Sequence, residues 1–135
     1  MLNLLIIGSE GSIGKYLCKF FKGKYKILKI DRFSKDPKNV NHKNIDLSKK
    51  KIDNTQFKEK IDLVICLSFN LNFKNISKKK YFYEGRNIFN NTLEIIKKNN
   101  IKKIQYFSSF ADYGKSTQWY KETDIPKPFT NYGKL

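Results

Sequence analysis

The feature that most constrains this chain is an apolar run that ends in three evenly spaced glycines. Residues 2–8 read Leu-Asn-Leu-Leu-Ile-Ile-Gly, and the turn Gly8-Ser9-Glu10-Gly11-Ser12-Ile13-Gly14 grows straight out of it. A near-continuous apolar run suits a strand covered on both faces, as in a parallel sheet. Ile13, Leu17, Phe20 and Phe21 then recur at helical spacing, so a helix is expected over residues 12–22. Between strand and helix each glycine has a physical use. Gly8 permits a tight turn, Gly11 lets a pyrophosphate approach the backbone, and Gly14 lets helix and strand pack closely. The free N–H groups and the dipole of the helix start then favour a phosphate. Ser9, Ser12 and Ile13 lie in the same turn and join the glycines as candidate cofactor-binding residues. An ordinary glycine-rich turn is the competing reading, and the strand–turn–helix context favours the phosphate cradle.

The rest of the chain repeats the alternation. Strands are expected over residues 26–31, 44–47, 63–68 and 103–108, a short helix over 52–58 and a long one over 79–100. The long helix carries Phe82, Ile88, Phe89, Leu93 and Ile96 as its apolar stripe. Asn99-Asn100 is expected to end it, because Asn tolerates the left-handed conformation. Residues 32–43, with Asp36-Pro37, and 109–129, with Gly114, Pro126 and Pro128, are expected loops, and Thr130 a cap for another helix. Strands separated by helices imply a single α/β domain over residues 1–135, a doubly wound parallel sheet of about five strands with flanking helices. Ligands of such sheets sit at the carboxyl ends of the strands.

Asp31 stands at such an end, seventeen residues after Gly14. An acid there hydrogen-bonds the adenosine ribose and repels a 2′-phosphate, which favours NAD over NADP. Arg32 follows at once and would instead accept a 2′-phosphate. Glu10 is an awkward neighbour for a pyrophosphate, and its side chain is expected to point into solvent.

The net charge of +16 raises a nucleic-acid reading. Only Arg32 and Arg86 among the 28 basic residues are arginines, the side chain suited to bidentate phosphate and base contacts. The lysines are spread along the chain, so a solvated face is expected and no nucleic-acid partner. No apolar run is long enough for a membrane span, the apolar start lacks the features of a signal peptide, and no membrane partner is expected. Cys18 and Cys66 lack metal-like spacing and suit reduced core thiols in a cytoplasmic protein; no metal ligands are expected. The lone His42 lies in the polar loop and is expected to be solvated.

The spacing G-x-x-G-x-x-G resembles the extended short-chain dehydrogenase/reductases, the NAD-dependent epimerase/dehydratase family. Asn44-Ile45-Asp46-Leu47 resembles the family's acid-Leu pair, where the acid meets the adenine amino group. Leu63-Val64-Ile65-Cys66-Leu67-Ser68 resembles a fourth strand that passes close to the cofactor. Tyr106-Phe107-Ser108-Ser109-Phe110-Ala111-Asp112-Tyr113-Gly114 is similar to the Ser-Ser-x-x-x-Tyr-Gly segment of sugar-nucleotide epimerases and dehydratases. Glu122, Pro126, Pro128 and Asn131-Tyr132-Gly133-Lys134 follow in the family's order. The resemblance implies a Rossmann-like fold, NAD as cofactor, and an N-terminal half that stops before the C-terminal substrate-binding part. It assigns Asp31, Arg32, Asp46, Leu47, Leu67 and Ser68 to the cofactor, and Ser109 and Tyr132 to catalysis. The family's lysine would fall at position 136; Lys134 lies on another side of the helix and does not replace it. Cys66 stands for the usual His, and Ser68-Phe69 for two alanines, which makes a bulkier cofactor wall. Of Asn87, Asn90 and Asn91, none aligns cleanly with the family's helix motif.

The chemistry so implied is hydride transfer coupled to proton transfer. Tyrosine, with a pKa of about 10, is a poor base at neutral pH until nearby positive charge favours phenolate. Ser109 would hold the substrate oxygen near Tyr132. The expected parent is an NAD-dependent epimerase, dehydratase or reductase acting on a nucleotide sugar, the 135-residue chain being inactive by itself. An NAD(P)-binding sensor without chemistry and a basic protein for anionic surfaces are the alternatives. Trp119 and Tyr120 would either stack on a base or pack under their loop. By resemblance alone, the helix over 79–100 is a surface for a homodimer.

Overall fold

A computed structural model describes residues 1–34, 39–53, 55–69, 76–115 and 119–135. The chain runs β1 (Asn3–Ile7), α1 (Ser12–Phe20), β2 (Lys26–Asp31), β3 (His42–Asn44), β4 (Leu63–Cys66), α2 (Lys78–Lys98) and β5 (Ile104–Tyr106). The five strands form one parallel sheet in the order β3-β2-β1-β4-β5. The sheet is the doubly wound, Rossmann-like one expected.

Alternation along β1 explains why its sequence is apolar throughout. Leu5 and Ile7 enter one cluster with Leu28, Ile30, Val64 and Ile95, the last from α2. Leu4 and Ile6 enter the opposite cluster with Ile65 and with Leu17, Cys18 and Phe21 from α1 and its end. Each face therefore has its own helix, and β1 is buried on both. In the sheet Ile7 pairs with Ile30 on one side and Cys66 on the other, so β1, β2 and β4 end at one level. The chain leaves β1 for β2 on one flank and reaches β4 on the other. This switch point opens a crevice above the strand ends.

α2 starts where Ser77 caps it, its Oγ accepting from the Lys80 N–H at 3.3 Å. It ends at Asn99, and Asn100 takes the left-handed conformation expected of it, with φ 50°. Asn99 has a second task that changes the neighbouring segment. Its Oδ1 accepts from the Phe57 N–H at 2.8 Å and its Nδ2 donates to the Thr55 carbonyl at 2.8 Å. Thr55 and Phe57 are buried there. This outside capture of their backbone replaces the helix expected over residues 52–58; none is present among the described residues.

The third strand also differs from expectation. It begins at His42, two residues early, because His42 and Lys43 pair with Lys29 and Ile30. It stops at Asn44; the Ile45 N–H still reaches the Asp31 carbonyl at 2.9 Å, and Asp46 then turns the chain by accepting from the Ser48 amide and hydroxyl. Residues 39–41 keep the loop character expected, while Asp36-Pro37 lie outside the described residues. At the end of the chain, Thr130 caps a turn over residues 131–134, accepting from the Gly133 N–H at 3.0 Å. No helix among the described residues is long and apolar enough to cross a membrane.

Candidate functional site

The crevice over the switch point is a cleft of about 600 Å³, within the range of small-molecule sites. Its floor is the glycine turn. Gly8 has φ +87°, a conformation that strains any residue with a Cβ, and its N–H is held by the Ile30 carbonyl at 2.8 Å. At Gly14 a Cβ would meet the Gly8 carbonyl oxygen at 2.2 Å, so α1 packs directly on the turn itself. Gly11 is different: the nearest atom to an added Cβ is Gly8 O at 3.4 Å, and nothing else lies close. The open space is where a ligand's phosphates would come near the backbone. α1 has Gly11 at its N-cap, no side-chain cap and no acid in its first turn. Its first N–H groups are thus not met by a side chain and remain available to an anion.

Ser12, Ile13, Leu67 and Ser68 line the cleft beside the three glycines. Ser9 does not; it is 1% exposed beneath the turn, and its Oγ has no hydrogen-bond partner.

At the next strand end Asp31 lines the cleft with its carboxylate pinned. One oxygen accepts from the Glu10 N–H at 2.9 Å, the other from the Arg32 N–H at 2.8 Å. Each oxygen keeps a lone pair for a further donor such as a sugar hydroxyl. Asp46 and Leu47 line the same wall. Burial pushes the Asp46 carboxyl up, but the Ser48 hydroxyl and amide, with the charges of Arg32 and Lys49, outweigh it and hold it below the usual value. The loop that carries them is tied to α2. Asn91 Nδ2 donates to the Leu47 and Lys49 carbonyls at 2.8 and 2.9 Å, and Asn87 Nδ2 to the Ser48 carbonyl at 2.8 Å. These asparagines are the support that sequence reasoning missed. Their spacing on one helix face was the available signal, but their partners lie about forty residues away.

Two expectations are overturned here. The Glu10 side chain does not point into solvent: it is 19% exposed, with Oε1 3.9 Å from His42 Nδ1. His42 is not solvated; its side chain is 3% exposed, with Nδ1 3.0 Å from Ser34 Oγ. Both follow from β3 reaching back to His42, which brings the ring under the strand ends.

The far end of the cleft is lined by Phe69, Glu84, Ile88, Phe107, Ser108 and Tyr132. The Tyr132 ring lies 5.9 Å from Phe69, which lies 5.8 Å from Tyr106. Phe69, which stands where the family has a small alanine, thus puts a ring against this end of the cleft. Burial pushes the Tyr106 phenol above its usual value, and Cys66, Asp112 and Tyr132 add to the effect. Burial pushes the Cys66 thiol up to about 11, so it is a neutral core group, whereas Cys18 is only half-buried. Ser109 does not line the cleft; its Oγ accepts from the Ala111 N–H at 3.2 Å and caps a 3-10 turn, Phe110–Asp112. Its neighbour Ser108 does line it, and donates to Asp112. Tyr120 packs on Tyr113 with rings 5.1 Å apart and donates to the Gly114 carbonyl at 2.7 Å, while Trp119 is 97% exposed. Among the described residues no cluster of His, Cys, Asp and Glu could hold a metal.

A parallel sheet, a glycine turn under a helix start and an acid at the next strand end define a dinucleotide-binding protein. The chain belongs to the NAD dependent epimerase/dehydratase family, which it matches over residues 4–134. No curated protein matches it at a significant level. Among solved structures it resembles the UDP-Glc/GlcNAc 4-epimerase of Campylobacter jejuni, at 23% identity and a TM-score of 0.76, covering 99% of this chain and 45% of that one. The ADP-L-glycero-D-manno-heptose-6-epimerase of Helicobacter pylori is similar at 21% identity and 0.76, over 98% and 47%. Bordetella bronchiseptica WbmG in complex with NAD is similar at 17% identity and 0.76, over 98% and 46%. The chain spans about half the length of these neighbours. NAD, the cofactor of the family, fits the residues present, since the open space at Gly11 and the pinned Asp31 sit in one cleft.

Proposed function

We propose that this chain is the cofactor-binding part of a cytoplasmic epimerase/dehydratase-type oxidoreductase acting on a nucleotide sugar. The observation that carries the reading is a single cleft with Gly11 and Asp31 at one end and Tyr132 at the other. In it the amides at the start of α1 bind the pyrophosphate, Asp31 takes the adenosine ribose hydroxyls, and Asp46 meets the adenine amino group. Leu67 and Ser68 form the wall under the rest of the cofactor. When bound, NAD supplies the hydride acceptor. Tyr132 takes the substrate hydroxyl proton, and Ser109 orients the substrate oxygen after a local shift of residues 109–111. In this reading the 135-residue chain binds NAD without turning over substrate.

The nucleotide-sugar assignment is supported by two neighbours described as acting on UDP- and ADP-linked sugars and by a third, MoeE5, in complex with UDP-glucose and NAD. The unpaired thiols of Cys18 and Cys66 fit a reducing compartment. Pairing of two copies through α2, where Phe89 and Leu93 are exposed, belongs to the same reading. A second reading, a module that binds NAD without chemistry, is favoured by the Ser109 hydroxyl lying outside the cleft.

Calorimetric titration of NAD into the chain tests the first claim; saturable binding that is weakened roughly ten- to hundredfold in Asp31→Ala is expected. Binding that Asp31→Ala leaves intact would refute the site. NAD reduction by the purified chain with UDP-glucose would refute its inactivity.

A further inference from the structure

We propose that Glu10 is a second acid at the ribose end of the cleft, and that it excludes nucleotides bearing a 2′-phosphate. The inference rests on the cofactor reading above and deepens it. Two observations carry it. Glu10 lines the cleft, and its own backbone N–H donates to Asp31 at 2.9 Å. Its Cα is therefore next to the carboxylate assigned to the ribose. The side chain does not sweep through solvent but turns back to β3, where Oε1 lies 3.9 Å from Nδ1 of a His42 that is 3% exposed. Arg32 lines the same cleft, and its charge also helps hold the Asp46 carboxyl down.

The electrostatic consequence is simple. A ribose with a free 2′-hydroxyl brings no charge and donates to Asp31. A 2′-phosphate brings up to two negative charges into a wall that already presents the carboxylates of Asp31 and Glu10. Like charges at such range are costly, more so beside a low-dielectric wall than in water. Asp31 must stay for the ribose hydroxyls. Glu10 makes no contact that an unphosphorylated ribose needs, so it acts on discrimination and not on basal affinity.

The test compares 5′-ADP with 2′,5′-ADP by calorimetry on the 135-residue chain, wild type and variants, with no turnover required. Glu10→Gln is expected to narrow the preference for 5′-ADP by about tenfold, equivalent to about 1.4 kcal/mol, with 5′-ADP affinity within about twofold of wild type. Glu10→Asp, which keeps the charge, is expected to keep the preference. An unchanged preference in Glu10→Gln, with 5′-ADP still bound, would overturn the role of Glu10 alone. Equal loss of both ligands, with a lowered melting temperature, would overturn it by showing a merely structural residue. Failure of wild type to bind 5′-ADP would overturn the cofactor reading, and this inference with it.

Discussion

At one end of the cleft the glycine turn and Asp31 are held by neighbouring strands and by α1; at the other, Tyr132 sits in a loop turn capped by Thr130, against Phe69 and packed at Gly133 on the Ala111 carbonyl. The Ile30 carbonyl holds Gly8, α1 leaves no room for a Cβ at Gly14, and two amides hold Asp31. These groups belong to β1, α1 and β2, whose strands are fully paired. Tyr132 instead leans on Phe69, in a turn closed by Thr130, beside β5, which is exposed along its length. The difference shows where preorganisation resides. The cofactor end is complete in its geometry before any ligand arrives. The substrate end is built from loops that follow β4 and β5, and its serine faces a local turn.

The contrast can be broken most forcefully at Gly14. Its added Cβ would strike backbone, which cannot swing aside, so Gly14→Val is expected to cost at least about 3 kcal/mol in urea unfolding. A cost under about 1 kcal/mol would mean that the turn is not clamped. Removing the ribose acid comes next: Asp31→Ala is expected to weaken NAD roughly ten- to hundredfold, the scale of charged hydrogen bonds. Tyr132→Phe should leave NAD affinity within about twofold, and equal losses at both ends would erase the contrast. Asn91→Ala removes two hydrogen bonds to the carbonyls that frame the Asp46 loop, and about 1–3 kcal/mol of stability with them.

Acid sharpens the same comparison. The folded Asp46 carboxyl is held below its ordinary value, so its contribution to stability is present above about pH 4 and is lost as pH falls through the folded value. Thermal melts between about pH 5 and 2 should therefore fall less steeply in Asp46→Asn than in wild type. The smallest effect is expected at Ser109→Ala, which gives up one capping bond at 3.2 Å and about 0.5–1 kcal/mol.

How much of this was legible beforehand depended on how far apart the partners lie. The glycine turn and Asp31 could be seen because strand, turn and helix follow one another, and each residue type has a local reason for its place. β1 announced its double burial by being apolar at both parities. The end of α2 was visible for the same reason, since Asn100 needs only its own backbone conformation. The segment over 52–58 was not, because helical spacing there competes with Asn99, some forty residues away, which takes its backbone bonds. Glu10 and His42 were misplaced for a related reason. A polar side chain in a polar stretch looks solvated until strand pairing brings the two stretches together.

The order of the strands, the helices α1 and α2, the phosphate turn and the acid at the end of β2 were determined by the amino-acid sequence alone, because all depend on periodicity and conformation within a few neighbouring residues. The partners of Glu10, the ties from Asn87 and Asn91, and which hydroxyl faces the cleft were decided by the tertiary structure. Those contacts exist only once the parallel pairing of β3, β2, β1 and β4 has brought distant segments to one edge of the sheet.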